Sequence, residues 1–189
     1  GFVSVGIVLF QASLGGITVL FLLPKSISIF HACLAQIFFC TTVVLAMVTT
    51  ESWKLPIRMS DSKAPGALRF IALATSFILF VQLLMGATMR HFGAGLAIPD
   101  FPLSFGRWIP EMVNFPITIH FAHRVGALVA LAFVVTTVVG VYRRYWNQFY
   151  LILYAGTLMG AIWTQVMLGA MVIWLRRPIA FTTLHLALG

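Results

Sequence analysis

Apolar residues run almost unbroken along this sequence, in stretches longer than soluble cores use. Five runs, at about 2–23, 28–49, 68–89, 117–141 and 149–174, each hold the roughly 20 residues that an α-helix needs to cross a bilayer. A sixth opens at 179 and has only eleven residues before the sequence stops at Gly189. Polar and turn-forming residues separate the runs. Pro24-Lys25-Ser26 predicts a tight turn, and 50–67 reads as a polar loop. The segment 90–116 is longer and mixes Gly93, Gly95, Pro99, Asp100 and Pro102 with Phe101, Phe105 and Trp108. That mixture suits an interfacial loop lying against the membrane or capping a pocket. The pattern predicts an all-α, polytopic membrane protein with five full transmembrane helices and one truncated one.

One pattern repeats. Gln11-Ala-Ser-Leu14-Gly15, Pro24 and His31 recur as Gln165-Val-Met-Leu168-Gly169, Pro178 and His185, with the same offsets of 4, 13 and 20. The copies start 154 residues apart, so a helix–turn–helix unit has been duplicated. A third stretch, Gln82-Leu-Leu-Met85-Gly86, opens the same way and is read as leading to His91.

Composition sharpens the membrane reading. Hydrophobic residues make up 61% of the chain and charged residues 8%, against about a quarter charged in soluble domains. Twelve Lys and Arg face four acids, a net charge of +8. The cations stand singly or in pairs between apolar runs, which excludes a nucleic-acid surface and suits anionic lipid headgroups or a carboxylate-bearing cofactor. Loop charges do not orient the chain. Lys54, Arg58, Lys63, Arg69, Arg143 and Arg144 fall on one side, and Lys25, Arg90, Arg107, Arg124, Arg176 and Arg177 on the other. Cys33 and Cys40 lie seven apart on one predicted helix, about 10 Å along its axis and too far for a disulfide.

Counting crossings places His31, His91, His123 and His185 on one side of the membrane. His31, His123 and His185 lie one or two turns inside their helices, in a common layer. Imidazoles in hydrocarbon need partners and imply a task. Interhelical hydrogen bonding, a zinc or iron site and axial ligation of heme are the alternatives. Acids are confined to loops, which disfavours the metal-ion site. Four residues after each histidine stands a small residue, Ala35, Ala127 or Gly189, with Gly126 beside the second. Such gaps admit a porphyrin edge or ordinary close helix packing. Arg124 and Arg90 are candidates for heme propionates, or they snorkel to headgroups. Gln11, Gln82 and Gln165 are expected to hydrogen-bond between helices. His120, three before His123, could hydrogen-bond or substitute as a ligand.

These residues together resemble the heme A synthase family of cytochrome oxidase assembly. The resemblance rests on Gln11-x-x-Leu14-Gly15 with His31, on His123-Arg124, on Gln165-x-x-Leu168-Gly169 with His185, and above all on one string. That string is Gly86-Ala-Thr-Met-Arg90-His91-x-Gly93-Ala-Gly95-Leu-Ala-x-Pro99-Asp100-x-Pro102-Leu103. It implies two duplicated four-helix bundles, of which this fragment covers the third helix to the start of the eighth. Residues 1–49 would be the second half of the N-terminal unit, 50–67 a linker, and 68–189 the C-terminal unit. The resemblance further implies heme b ligated by His123 and His185, and His31 at the site of the substrate, heme O. Arg124 and Arg90 complete the cofactor-binding set. The activity implied is oxidation of a porphyrin methyl to a formyl by successive hydroxylation, giving heme A.

The resemblance implies an acidic residue in a first outer loop that this sequence does not include, so no catalytic residue is named here and the fragment alone is expected to be inactive. Where many members carry a cysteine pair, this chain has Ile98 and Ser104. Implied partners are the bilayer, heme O synthase and cytochrome oxidase assembly factors. The implied location is the bacterial plasma membrane, or the mitochondrial inner membrane, with the histidine layer on the non-cytoplasmic side. A b-type cytochrome that only passes electrons, and a heme-free transporter or scaffold, are the rival readings.

Overall fold

The computed structural model describes residues 1–22, 24–50 and 65–189. Most of the loop expected at 50–67, with Lys54, Arg58 and Lys63, lies outside the described residues. The described residues form α1 (Phe2–Leu20), α2 (Lys25–Thr49), α3 (Pro65–His91), α4 (Phe115–Tyr145), α5 (Phe149–Trp174) and α6 (Ile179–Leu188). A single 3-10 turn, Ala94–Leu96, stands between α3 and α4. Helices α1 to α5 are long and apolar enough to cross a bilayer, and α6 is a shorter apolar helix. The protein is all-α and multi-pass.

Its surface explains why it must live in lipid. Phe2, Leu9, Phe39, Phe70, Phe77 and Leu128 all point outward, an arrangement that water would penalise and hydrocarbon does not. The interior is built from small and β-branched residues instead.

Two compact units divide the chain, Gly1–Met59 and Ser60–Gly189. In the first, α1 packs against α2. In the second, α3 packs on α4, α4 on α5 and α5 on α6, and the 3-10 turn sits against α3 and α4. Val134 and Val138 of α4 meet Ala155 of α5 in the core of this unit. Beside them the buried hydroxyls of Thr75 and Thr137 lie 2.7 Å apart and tie α3 to α4. Cys33 and Cys40 are free.

Helix ends follow local chemistry. Helix α4 begins two residues before the expected 117, because the Asn114 side chain accepts from Ile117 N at 3.0 Å. Pro116 sits in its first turn, where a missing N–H costs nothing. At 31 residues, α4 runs about 46 Å, more than a hydrocarbon core requires. Helices α2 and α6 each start behind a proline with matching backbone, Pro24 (φ −59, ψ 128) and Pro178 (φ −64, ψ 140). The preceding turns match as well. Leu22 has φ 53 and Arg176 φ 54, a left-handed residue at the same place in each copy. Helix α1 therefore stops at Leu20, short of the expected 23.

Candidate functional site

Each of the three intramembrane histidines is held by the helix that precedes it. Gln11 Nε2 of α1 donates to the main-chain carbonyl of His31 on α2, at 3.1 Å. Gln165 Nε2 of α5 donates to the carbonyl of His185 on α6, at 2.8 Å. Gln82 Nε2 of α3 donates to the carbonyl of His123 on α4, also at 2.8 Å. The glutamine one turn before each glycine thus anchors the backbone at the histidine. The expected hydrogen-bonding role of the three glutamines is what the structure displays.

The glycine completes the arrangement. A methyl on Gly15 would lie 3.2 Å from Cε1 of His31, on Gly86 3.1 Å from Cε1 of His123, and on Gly169 3.2 Å from Cε1 of His185. Each imidazole therefore rests with its Cε1 edge in a notch that a methyl group would crowd by a few tenths of an ångström. Residues after the histidine make room for the amide. A Cβ at Gly126 would strike Oε1 of Gln82, and one at Gly189 would come within 2.6 Å of Nε2 of Gln165. Those two gaps, expected to admit a porphyrin edge or close packing, are occupied by glutamine.

The third pair corrects the sequence reading. Gln82 was expected to lead to His91, yet it grips His123, 41 residues on. The cause is the connection. In the other two hairpins a short turn fixes the spacing at 20, whereas the α3–α4 connection holds a folded loop. Three copies of one helix pair exist, and loop length hid the third.

Beyond the carbonyl, the three rings differ. His185 Nδ1 lies 3.2 Å from the Gln165 carbonyl oxygen, a pairing that needs the hydrogen on Nδ1 and leaves the Nε2 lone pair bare. At His123 the Gln82 amide reaches Nδ1 as well, at 3.1 Å. His31 Nδ1 is buried without a hydrogen-bond partner, as are Gln11 Oε1, Gln82 Oε1 and Gln165 Oε1. No group of three His, Cys, Asp or Glu that could hold a metal ion occurs among the described residues.

His120 is buried and accepts from Ile98 N at 3.2 Å. Of its two expected roles, the structure displays the hydrogen bond. His91 ends α3, and Arg90 beside it is exposed.

The segment after α3 is a folded roof over this end of the unit. Gly93, in a left-handed conformation (φ 69), turns the chain out of α3. Ser104 and Arg107 bond each other's main chain at 2.7 and 3.1 Å around Phe105 and Gly106, both at positive φ, as a tight hairpin turn requires. The Asp100 carboxylate accepts from Phe105 N at 2.7 Å and Gly106 N at 2.8 Å. The Gly106 bond foremost, with Phe105 and the charge of Arg124 adding to it, holds the Asp100 carboxyl below its usual range.

Arg124 pins this roof from below. Its terminal nitrogens donate to the carbonyl oxygens of Leu103 (2.8 Å), Ile98 (3.1 Å) and Asp100 (2.7 Å), and to Ser104 Oγ at 3.4 Å. Only Nε is buried without a partner. Its fork is spent on the loop, which sequence reasoning had assigned to propionates or headgroups. Ile98 and Ser104 are both fully buried and both bonded to Arg124. From α5, Trp174 Nε1 donates to Phe101 O at 3.1 Å, and the two rings meet edge to face at 5.9 Å. Trp174 was not anticipated; a tryptophan one turn before Arg176-Arg177-Pro178 was its only signal.

An open groove of about 520 Å³ runs between α3 and α4, lined by Phe77, Val81, Gln82, Met85, Phe121 and Val129 among others. Its lining includes none of the histidines.

Residues 2–189 match the family described as cytochrome oxidase assembly protein (COX15-CtaA). The chain belongs to that family. It is similar to the heme A synthase of Halalkalibacterium halodurans, 32% identical over 138 residues, which is 73% of this chain and 45% of that protein. It is likewise similar to the heme A synthase of Symbiobacterium thermophilum, 29% identical over 169 residues, 87% of this chain and 52% of that protein. The chain spans about half the length of these curated relatives.

Proposed function

We propose that this chain is the heme-holding part of a membrane oxidase that converts heme O to heme A, methyl to formyl. The observation that carries the reading is the threefold cradle. Three histidines at helix starts rest in glycine notches with their backbones anchored by glutamine, an investment that packing alone does not need. The residues fit a heme. His185 already presents a bare Nε2, and His123 rests in the equivalent cradle on α4.

In this reading His123 and His185 hold heme b as a bis-histidine pair. His31, whose Nδ1 has no partner, serves the exchangeable substrate heme. A ligand with its second nitrogen fixed suits permanent binding, and one without it suits turnover. Iron, when bound, supplies the oxidation. The chain's own share is to orient the imidazoles, and to shut water out through the roof that Arg124, Trp174 and His120 hold down. Arg90, exposed at the end of α3, is the better-placed cation for propionates; Arg124 reaches them through Nε or by releasing the loop. The same reading places the protein in a bacterial plasma membrane, histidine end outward, beside heme O synthase and oxidase assembly factors.

Pigment extraction from the intact protein, purified from membranes supplied with heme O, tests this. Heme b together with hydroxylated or formyl heme is expected. Heme b alone would make the protein an electron-transfer cytochrome, and no heme would end the reading.

A further inference from the structure

We infer that Gln82 with Gly86, and Gln165 with Gly169, are positioning residues that fix the planes of His123 and His185 for iron ligation, with the Gln82 amide also holding the second ring nitrogen of His123. The inference rests on the heme-ligand reading above and separates what the glutamine does to the ligand from what the glycine does.

The geometry separates two actions. The glutamine amide locks the histidine backbone, and this bond recurs at 3.1, 2.8 and 2.8 Å. The His185 carbonyl already accepts from Gly189 N at 3.3 Å within its own helix, so the glutamine adds a second, inter-helix bond at the one residue where position matters. The glycine then sets the ring. With a Cβ the imidazole would have to yield by a few tenths of an ångström, since 3.1 or 3.2 Å to Cε1 is inside ordinary contact.

The nitrogen partners differ in kind. His185 Nδ1 donates to a main-chain carbonyl, which no side-chain substitution removes. His123 Nδ1 depends on the Gln82 amide. In the present tautomer Nε2 of Gln82 donates to Nδ1. With iron on Nε2 of the imidazole the hydrogen resides on Nδ1, and a half-turn of the amide offers Oε1, buried without a partner, as its acceptor. That half-turn surrenders the bond to the His123 carbonyl. An amide serves both states; a purely apolar or purely donating side chain cannot.

The test is Gly86→Ala and Gly169→Ala in the intact protein, with Gly160→Ala as control. Gly160 is on α5 and meets nothing within 4 Å. The readouts are the g values of the low-spin ferric heme b, which report how the two imidazole planes are set, and its midpoint potential. Shifted g values in both variants, with the control matching the parent, are expected. Parent-like g values and potential in both variants would overturn the inference. Should an alanine variant fail to accumulate, Gln82→Leu reads the same signals without crowding the ring, and a parent-like potential there overturns it equally. A parent protein without heme refutes the ligand reading itself, an outcome distinct from an unshifted signal.

Discussion

Gln82 and His123 are 41 residues apart in sequence and joined twice, through the histidine's carbonyl at 2.8 Å and its ring at 3.1 Å. Gln165 and His185, 20 apart, are joined by the glutamine side chain once, at the carbonyl. The same glutamine therefore has unequal consequences in the two hairpins. Gln82→Leu is expected to raise the midpoint potential of heme b, since losing the partner of Nδ1 makes the ligand less basic. Gln165→Leu is expected to leave the potential near the parent value and to weaken heme retention by about tenfold. Redox titration and heme content after dialysis measure the two effects.

Removing a ligand is harsher. His123→Ala or His185→Ala is expected to lower heme b from one per chain to none, read from the pyridine hemochrome against protein concentration. His31→Ala is expected to keep that heme and to stop product formation. Equal loss of heme b in all three variants would refute separate sites.

Arg124→Ala is expected to free the roof. Hydrogen bonds from a charged group contribute about 1.5–3 kcal/mol each when well buried, and half-burial of this residue reduces that. A net loss of about 2–3 kcal/mol is expected. Trypsin cleavage at Arg107, exposed in the hairpin, should accelerate. Arg124→Lys should rescue little, because a single ammonium cannot span the Ile98, Asp100 and Leu103 carbonyls at once.

The roof is also expected to loosen in acid. The Asp100 carboxyl lies below its ordinary value of 3.8. Its two bonds to Phe105 and Gly106 thus contribute fully above that value and are lost as pH falls through the lower, folded one. Hydrogen exchange at Phe105 and Gly106 should be flat from neutral pH down to about 4 once the intrinsic rate is corrected. Protection should fall below it. Asp100→Asn should remove the acid step.

Leu22→Gly and Arg176→Gly are expected to stabilise their hairpins. Both residues hold a left-handed backbone that costs an L-residue about 1–2 kcal/mol. Glycine's greater freedom when unfolded offsets part of that, leaving a gain of about 0.5–1 kcal/mol. Thermal unfolding in detergent reads it.

The sequence displayed the helices well because hydrocarbon length and turn residues leave few alternatives. The spans at 68–89 and 149–174 fell inside or on α3 and α5. The span at 117–141 likewise fell inside α4, whose start two residues earlier was legible in Asn114 and Pro116. The repeat was visible wherever a turn of fixed length kept its register, and invisible where the 92–114 loop stretched it. Arg124 shows the other limit. Its neighbour His123 drew attention toward a bound group, while the carbonyls it holds are peptide oxygens, which no residue name announces.

Because each histidine is gripped by the helix immediately before it, its orientation is settled inside a single hairpin. His31 and His185 have their carbonyl bonds and glycine notches once the second arm of their own pair is in place, and His123 once the roof between its arms has folded. On the proposed reading, the pocket of the second unit then forms by bringing two finished carriers, those of His123 and His185, together, with neither ring left to be aimed afterwards.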